Sequence, residues 1–352
     1  MACFRGNREE FYGEVLLLDD TKITLKPEQG MKKSTKVSAI LEQVFCHLNV
    51  VDVKFFGLRF CDKKQHTNWL DTSKTLSQHR SLPGPPYIFY FGVKFYAKDP
   101  VKLKDEGTRR QFYLQLRQDI RRRCLLVPYY LRPRLFALMM QVELGDFTDG
   151  EMVETEENRE TLVIYKSMRG VSRPQAESLF LALSSSLPMY GVSLFNAYGG
   201  NQSEYFLGPS PVGIDVYKNR ALVGKYLWQK ITKLHFKNDT FELRVAGKQD
   251  SETTFFFHSP ECKRLWKTCV EHHVFFRMSE SDPPRLTHSS VTSSPALSLP
   301  RLNVSLRRHR SDANTTTTTT TATKEAKNTT ESEGSKPVKK LTAPPAVDRL
   351  EG

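Results

Sequence analysis

The sequence predicts an α+β protein of three lobes followed by an unstructured tail, on three observations. Residues 11–95 alternate strand and turn signals around one amphipathic helix. Residues 96–195 read as all helical, and residues 196–278 as short strands closed by a single helix. From 279 to 352 the chain is rich in Ser, Thr and Pro, with an unbroken Thr run from Thr315 to Thr321. That tail has too few apolar residues to offset the entropy of ordering, so it is predicted to be disordered.

The elements follow in order. Phe11 to Leu18 reads as a strand, Asp19-Asp20 as a turn, and Lys22 to Lys26 as the hairpin partner. Ser38 can cap a helix running to Asn49, with Ile40, Leu41, Val44, Phe45 and Leu48 on one face. An apolar strand from Phe55 to Phe60 precedes a charged turn, Asp62 to His66, and a short segment anchored by Trp69. Pro83 to Pro86 form a turn into a long aromatic strand, Tyr87 to Tyr96.

In the middle lobe, Thr108 to Ile120 carries Phe112, Leu116 and Ile120 as a helical stripe. Pro133 suits the first turn of a second helix, which Gly145 stops. Asp146 to Glu160 reads as an acidic solvated loop. Ser172-Arg173-Pro174-Gln175 is a capping-box pattern opening a helix to about Leu187. The third lobe has strands at 204–207, 213–217, 222–228, 231–237, 240–245 and 253–258. A final helix opens at Ser259-Pro260-Glu261, with Cys262, Leu265, Trp266, Cys269 and His273 on one face.

Composition narrows the function. The net charge is +13; from Glu280 onward 11 Lys and Arg face 8 Asp and Glu, which leaves +10 on the body. A basic body favours an anionic partner. No apolar run reaches membrane-spanning length, and the opening residues do not read as a signal peptide. Six scattered cysteines without a Cys-x-x-Cys pair fit a reducing cytosol better than a zinc site or disulfide framework. There is no Gly-rich phosphate loop, His-Glu-x-x-His, Gly-x-Ser-x-Gly or Cys-x5-Arg pattern, so neither an enzyme nor a bound metal or cofactor is expected.

Trp69, Leu70, Lys74, Leu76, His79, Phe95, Tyr96 and Asp99 stand at the spacing of the first signature of the FERM module. Tyr165, Gln175, Ala176, Phe180, Leu181, Leu187, Tyr190, Gly191, Ser193 and Leu194 stand at the spacing of the second, with Ser184 as a departure. The chain thus resembles FERM proteins of the band 4.1 superfamily. Ser203 to Gly208, Val223 to Tyr226, Phe241 to Val245 and Val270 to His273 make it similar to the band 4.1-like protein 4 group.

The resemblance implies a FERM cloverleaf: a ubiquitin-like lobe at 11–95, an acyl-CoA-binding-protein-like helical lobe at 96–195, and a PH/PTB-like lobe at 196–278. The segment between Gly145 and Met189 is shorter than the family pattern, and Pro188 falls where the last helix usually continues, which implies a truncated middle lobe.

The resemblance also implies a non-enzymatic cytoplasmic adaptor, peripheral at the inner plasma membrane. It would bind anionic phospholipids (phosphoinositides) and cytoplasmic tails of membrane proteins, and link them to cytoskeletal proteins, directly or indirectly. The lipid site it implies is Lys63, Lys64, Lys74 and Lys263, with Asp71 standing where relatives carry Lys. The peptide groove it implies is Ile231, Thr232, Lys233, Leu234, His235 and Phe236, against the last helix, with main-chain hydrogen bonds to an added strand. The alternative, a nucleic-acid surface on Arg109, Arg110, Arg117, Arg121, Arg122 and Arg123, is disfavoured because Phe112 and Tyr113 read as core, so no nucleic acid is expected.

Overall fold

The computed structural model describes residues 11–148, 154–200, 202–247 and 251–281. The first lobe is a five-stranded sheet with one helix. Its elements are β1 (Gly13–Leu16), β2 (Lys22–Leu25), α1 (Val37–Leu48), β3 (Phe56–Cys61), β4 (Thr67–Trp69) and β5 (Tyr87–Val93). The strand order is β2-β1-β5-β3-β4, with β1 and β5 parallel and the other pairs antiparallel. Val15, Leu58, Phe89 and Phe91 meet Ile40, Leu41 and Val44 of α1 in one buried cluster.

Two of the boundaries that differ from the sequence reading have a visible cause. Helix α1 begins one residue before Ser38, and Lys36 holds the cap position without a side-chain bond. The amides of Val37 and Ser38 donate instead to the carbonyls of Lys74 (3.0 Å) and Thr72 (3.3 Å), so a distant segment does the work of a cap. Strand β5 ends at Val93, because the amides of Lys94 and Phe95 both turn to the carbonyl of Phe55. Phe95 thereby leaves the sheet.

The middle lobe is α2 (Glu106–Arg121), α3 (Arg132–Leu144), α4 (Arg159–Ser167) and α5 (Arg173–Ser185). The Asp105 side chain caps α2 by accepting from the amide of Thr108. The Ser172–Gln175 capping box opens α5, which ends before Pro188. Helix α4 starts inside the stretch read as loop to Glu160. This lobe closes onto the first one. Phe112 packs edge-on against Phe55 and Phe56, with ring centroids 5.4 and 5.7 Å apart. Gln118 donates to the carbonyl of Leu18 at 3.1 Å, and the Val93 amide donates to Gln115 at 3.1 Å. Gly107 makes the approach possible, since a Cβ there would lie 2.1 Å from the Asn49 carbonyl oxygen.

The third lobe is β6 (Phe195–Tyr198), β7 (Glu204–Pro209), β8 (Gly213–Lys218), β9 (Ala221–Leu227), β10 (Ile231–Lys237), β11 (Thr240–Ala246), β12 (Glu252–His258) and α6 (Cys262–Ser281). The order β10-β11-β12-β6-β7-β8-β9 is antiparallel throughout, and β12 meets β6 through the pair His258 and Tyr198. Strand β6 was not anticipated. The buried stripe of α6 is Cys262, Leu265, Cys269, His272 and Phe276, so His272 takes the inward place the sequence reading gave to His273. The cause lies in the first lobe: Phe95 stacks on Phe275 at 4.2 Å and meets the His272 ring at 5.1 Å. The tail read as disordered from residue 279 is helical to Ser281, and the rest of it lies outside the described residues.

Candidate functional site

Two surfaces bear the residues singled out above. The first is where the β3–β4 turn meets the start of α6. Asp62 closes that turn: its carboxylate accepts from the amides of Lys64 and His66, both at 2.9 Å, and from Asn68 at 3.1 Å. Burial pushes the Asp62 carboxyl up, but the amides of His66 and Lys64 outweigh it and hold the group below its usual range. Lys63 and Lys64 stand exposed on this closed turn. His66 reaches across to Glu261 at 3.4 Å, which sets the turn beside the first turn of α6 and its exposed Lys263. This contact ties the turn that carries Lys63 and Lys64 in the first lobe to the residue that precedes α6 in the third, two positions before Lys263.

Lys74 is exposed but engaged. Asp71 accepts from its ammonium at 3.1 Å and from the Ser73 hydroxyl at 2.7 Å. The Ser73 contact, with Lys74 behind it, takes the Asp71 carboxyl down to about 2 despite partial burial. His79 pins the loop: its Nε2 accepts from the Asp71 amide and its Nδ1 faces the Thr75 carbonyl, an arrangement that suits the neutral ring. Burial lowers the pKa of His79; the Thr75 carbonyl and Asp71 oppose the shift, and Lys74 and Lys267 add to it.

Between the three lobes lies a cavity of about 320 Å³, and Arg59, Lys94, Arg264 and Lys267 line it. None of the four was singled out from sequence; they come from β3, the end of β5 and α6, and no local pattern connects them. Arg59 lies over the Trp69 ring at 5.8 Å, and Lys94 pairs with Glu271 at 3.1 Å. The cavity wall holds Asp119, whose carboxyl is raised by burial while Tyr96 and Gln115 donate to it.

The second surface is the edge strand β10, which among the described residues pairs with β11 alone. Thr232, Lys233 and His235 are exposed, Leu234 and Phe236 half-buried, and Ile231 buried. Trp266 of α6 lies against Phe236 at 4.9 Å and donates its indole N–H to the Leu234 carbonyl at 3.1 Å. Lys233 pairs with Glu242 of the neighbouring strand at 3.2 Å.

The arginines of α2 divide. Arg109 and Arg110 face the buried Glu177 at 3.6 and 3.1 Å, and Arg117 pairs with Glu143. Arg121, Arg122 and Arg123 are exposed. Among the described residues no group of His, Cys, Asp and Glu could hold a metal, and no helix is long and apolar enough to cross a membrane.

Comparison with known proteins agrees with this architecture. Residues 15–81 match the FERM N-terminal domain, 98–195 the FERM central domain and 200–284 the FERM C-terminal PH-like domain. Human band 4.1-like protein 4A is 50% identical over 306 residues, covering 82% of this chain and 45% of that protein. Human protein 4.1 is 34% identical, covering 76% of this chain and 32% of that protein. The chain thus spans less than half the length of either relative. The FERM domain of Drosophila Merlin, solved in complex with its C-terminal domain, superposes with a TM-score of 0.69 at 20% identity, covering 77% of this chain and 97% of that one. With all three lobes matched in order over a three-lobed structure, the chain belongs to the FERM-domain proteins of the band 4.1 superfamily.

Proposed function

We propose that this chain is a non-enzymatic adaptor at the cytoplasmic face of the plasma membrane. Its basic edge meets anionic phospholipid, β10 accepts the cytoplasmic tail of a membrane protein, and the assembly is tied to the cortical cytoskeleton. The reading is supported chiefly by the contact of His66 with Glu261, which ties the turn carrying Lys63 and Lys64 to the start of α6, where Lys263 stands two residues on. A cation cluster shared by two lobes suits a multivalent headgroup such as a phosphoinositide. Lys267, four residues along α6 from Lys263 and on the wall of the cavity between the lobes, belongs to the same reading.

The β10 edge supports the second half of the reading. Its outer edge pairs with no strand among the described residues, as strand addition requires, and from Lys233 to Lys237 exposed and half-buried side chains alternate. Trp266 sets a condition on the incoming strand, which must displace the indole from the Leu234 carbonyl or pair beyond it. A nucleic-acid role gains nothing from α2, where internal carboxylates engage three of the six arginines.

Vesicle co-sedimentation tests the lipid site. The chain is expected to bind vesicles containing phosphatidylinositol bisphosphate at physiological salt, and neutral vesicles weakly. Lysines near an anionic surface contribute about 1 kcal/mol each, so Lys63→Ala/Lys64→Ala/Lys74→Ala is expected to lose on the order of tenfold or more. Lys74 contributes least, because Asp71 already pairs with it. If the triple variant binds as the parent chain does, the lysine edge is not the lipid site, and recruitment falls to β10.

A further inference from the structure

The segment between α2 and α3 has no part in the sites above. No acidic residue occurs between Asp119 and Glu143, while Arg121, Arg122, Arg123, Arg132 and Arg134 all do. The structure fixes this segment firmly. The amides of Cys124 and Leu125 donate to the Asp119 carbonyl at 2.8 and 3.1 Å, and Arg123 turns the chain with a φ of 59°. Leu125 is buried, Leu131 is half-buried, and Tyr129 to Leu131 form a tight helical turn that runs into α3.

Pinning those leucines inward drives their neighbours outward. Leu126 is 62% exposed, Tyr129 81% and Tyr130 75%, among the most exposed large side chains of the described residues. Arg132 lies over the Tyr129 ring at 5.8 Å and donates to the Val127 carbonyl at 3.2 Å. Arg121, Arg122, Arg123 and Arg134 make no ion pair with any described residue. The segment thus presents two exposed tyrosines and a leucine on an ordered backbone, flanked in sequence by arginines that make no ion pair among the described residues.

We infer that this α2–α3 segment is a membrane-interface wedge. Tyr129, Tyr130 and Leu126 enter the headgroup region of an anionic bilayer, while the arginines hold its phosphates. Tyrosine suits that depth because its ring is apolar and its hydroxyl remains hydrated. Arginines can keep their charge at the phosphates while their stems cover apolar surface. Three features favour a bilayer over other occupants. A second copy of the chain would bring five positive charges against five. Leu126 adds hydrocarbon to the patch, which gives nothing to base stacking. Cys124 and Leu125, next to the exposed Leu126, line the cavity on which Arg59, Arg264 and Lys267 also stand, so further cations lie near the segment. The rigid backbone lowers the ordering cost of insertion.

This surface is separate from Lys63, Lys64 and Lys74, and its test separates the two. The full chain is sedimented with phosphatidylcholine vesicles with and without phosphatidylserine, and with no phosphoinositide. Tyr129→Ala/Tyr130→Ala is expected to lose on the order of tenfold in affinity for the phosphatidylserine vesicles with its salt dependence unchanged. Arg121→Gln/Arg134→Gln is expected to flatten the salt dependence. Both effects should persist in the Lys63→Ala/Lys64→Ala/Lys74→Ala background. In Tyr130→Trp, lipids brominated on the acyl chain should quench fluorescence more than in the parent chain. Unchanged binding by the tyrosine variant, or no added quenching in Tyr130→Trp, would overturn the wedge. So would tyrosine-dependent binding of a single-stranded RNA oligonucleotide alongside tyrosine-independent binding of vesicles.

Discussion

Replacing Phe112 by alanine is expected to destabilise the folded chain by about 3–5 kcal/mol, the usual cost of emptying a buried aromatic site. Phe112 is fully buried in α2, and its ring meets Phe55 and Phe56 of the first lobe edge-on. Tyr96, whose hydroxyl donates to Asp119 of the same helix, closes the other side at 6.4 Å. Collapse around the gap is restricted because backbone hydrogen bonds of both lobes fix the surroundings. The Asp52 amide donates to the Thr108 hydroxyl, and the Val93 amide to Gln115. The loss should therefore appear as weakened docking of the middle lobe on the first, with a denaturation midpoint well below that of the parent chain. Phe136 on α3, which is largely exposed, is the control, and its alanine variant should change stability by less than about 1 kcal/mol. Equal shifts for the two variants would mean that the seam around Phe112 does not hold the lobes together.

The elements legible in the sequence are those whose signals are local. Strand β10 runs from Ile231 to Lys237 as read, because Asn238 and Asp239 turn the chain at its end, with Asn238 at a φ of 55°. Helix α5 starts at its capping box for the same reason. What was misread depends on distant partners. Ser38 is a good cap residue, but the carbonyls of Thr72 and Lys74 already satisfy the amides at that helix start. Strand β6 has little strand signal of its own, and its pairing with β7 defines it. The inward face of α6 turned on Phe95, a residue from another lobe whose path follows from the Phe55 carbonyl. The candidate site divides in the same way. Lys63 and Lys64 are visible as a charged turn, whereas the cations of the three-lobe cavity are assembled from segments far apart in sequence.

His272 makes the seam between the first and third lobes sensitive to pH. Its ring is 5% exposed, packed among Phe95, Trp228 and Phe276, with Nδ1 against the Thr268 carbonyl at 2.9 Å. Burial takes its pKa from 6.5 down to about 4; the Thr268 carbonyl opposes the shift and the Lys94 ammonium adds to it. The unfolded chain therefore binds a proton at this residue between about pH 6.5 and 4 that the folded chain refuses. The stability it carries is complete above the unfolded value and is lost as pH falls through that window. The loss is about 2 kcal/mol by pH 5 and about 3 kcal/mol by pH 4. His79 and His273 are also lowered, chiefly by burial, and tilt the curve the same way, but both are less enclosed. Asp71, held at about 2, begins to contribute only near the ordinary carboxylate range, below most of this window. Denaturation of the parent chain between pH 7.5 and 5 should show the slope, and His272→Gln should flatten most of it, since an amide can keep the Thr268 contact without taking a proton. His79→Gln and His273→Gln should each leave most of it in place. If His272→Gln loses stability as steeply as the parent chain, the buried imidazole is not the group that acid acts on, and the seam stays closed by its phenylalanines alone.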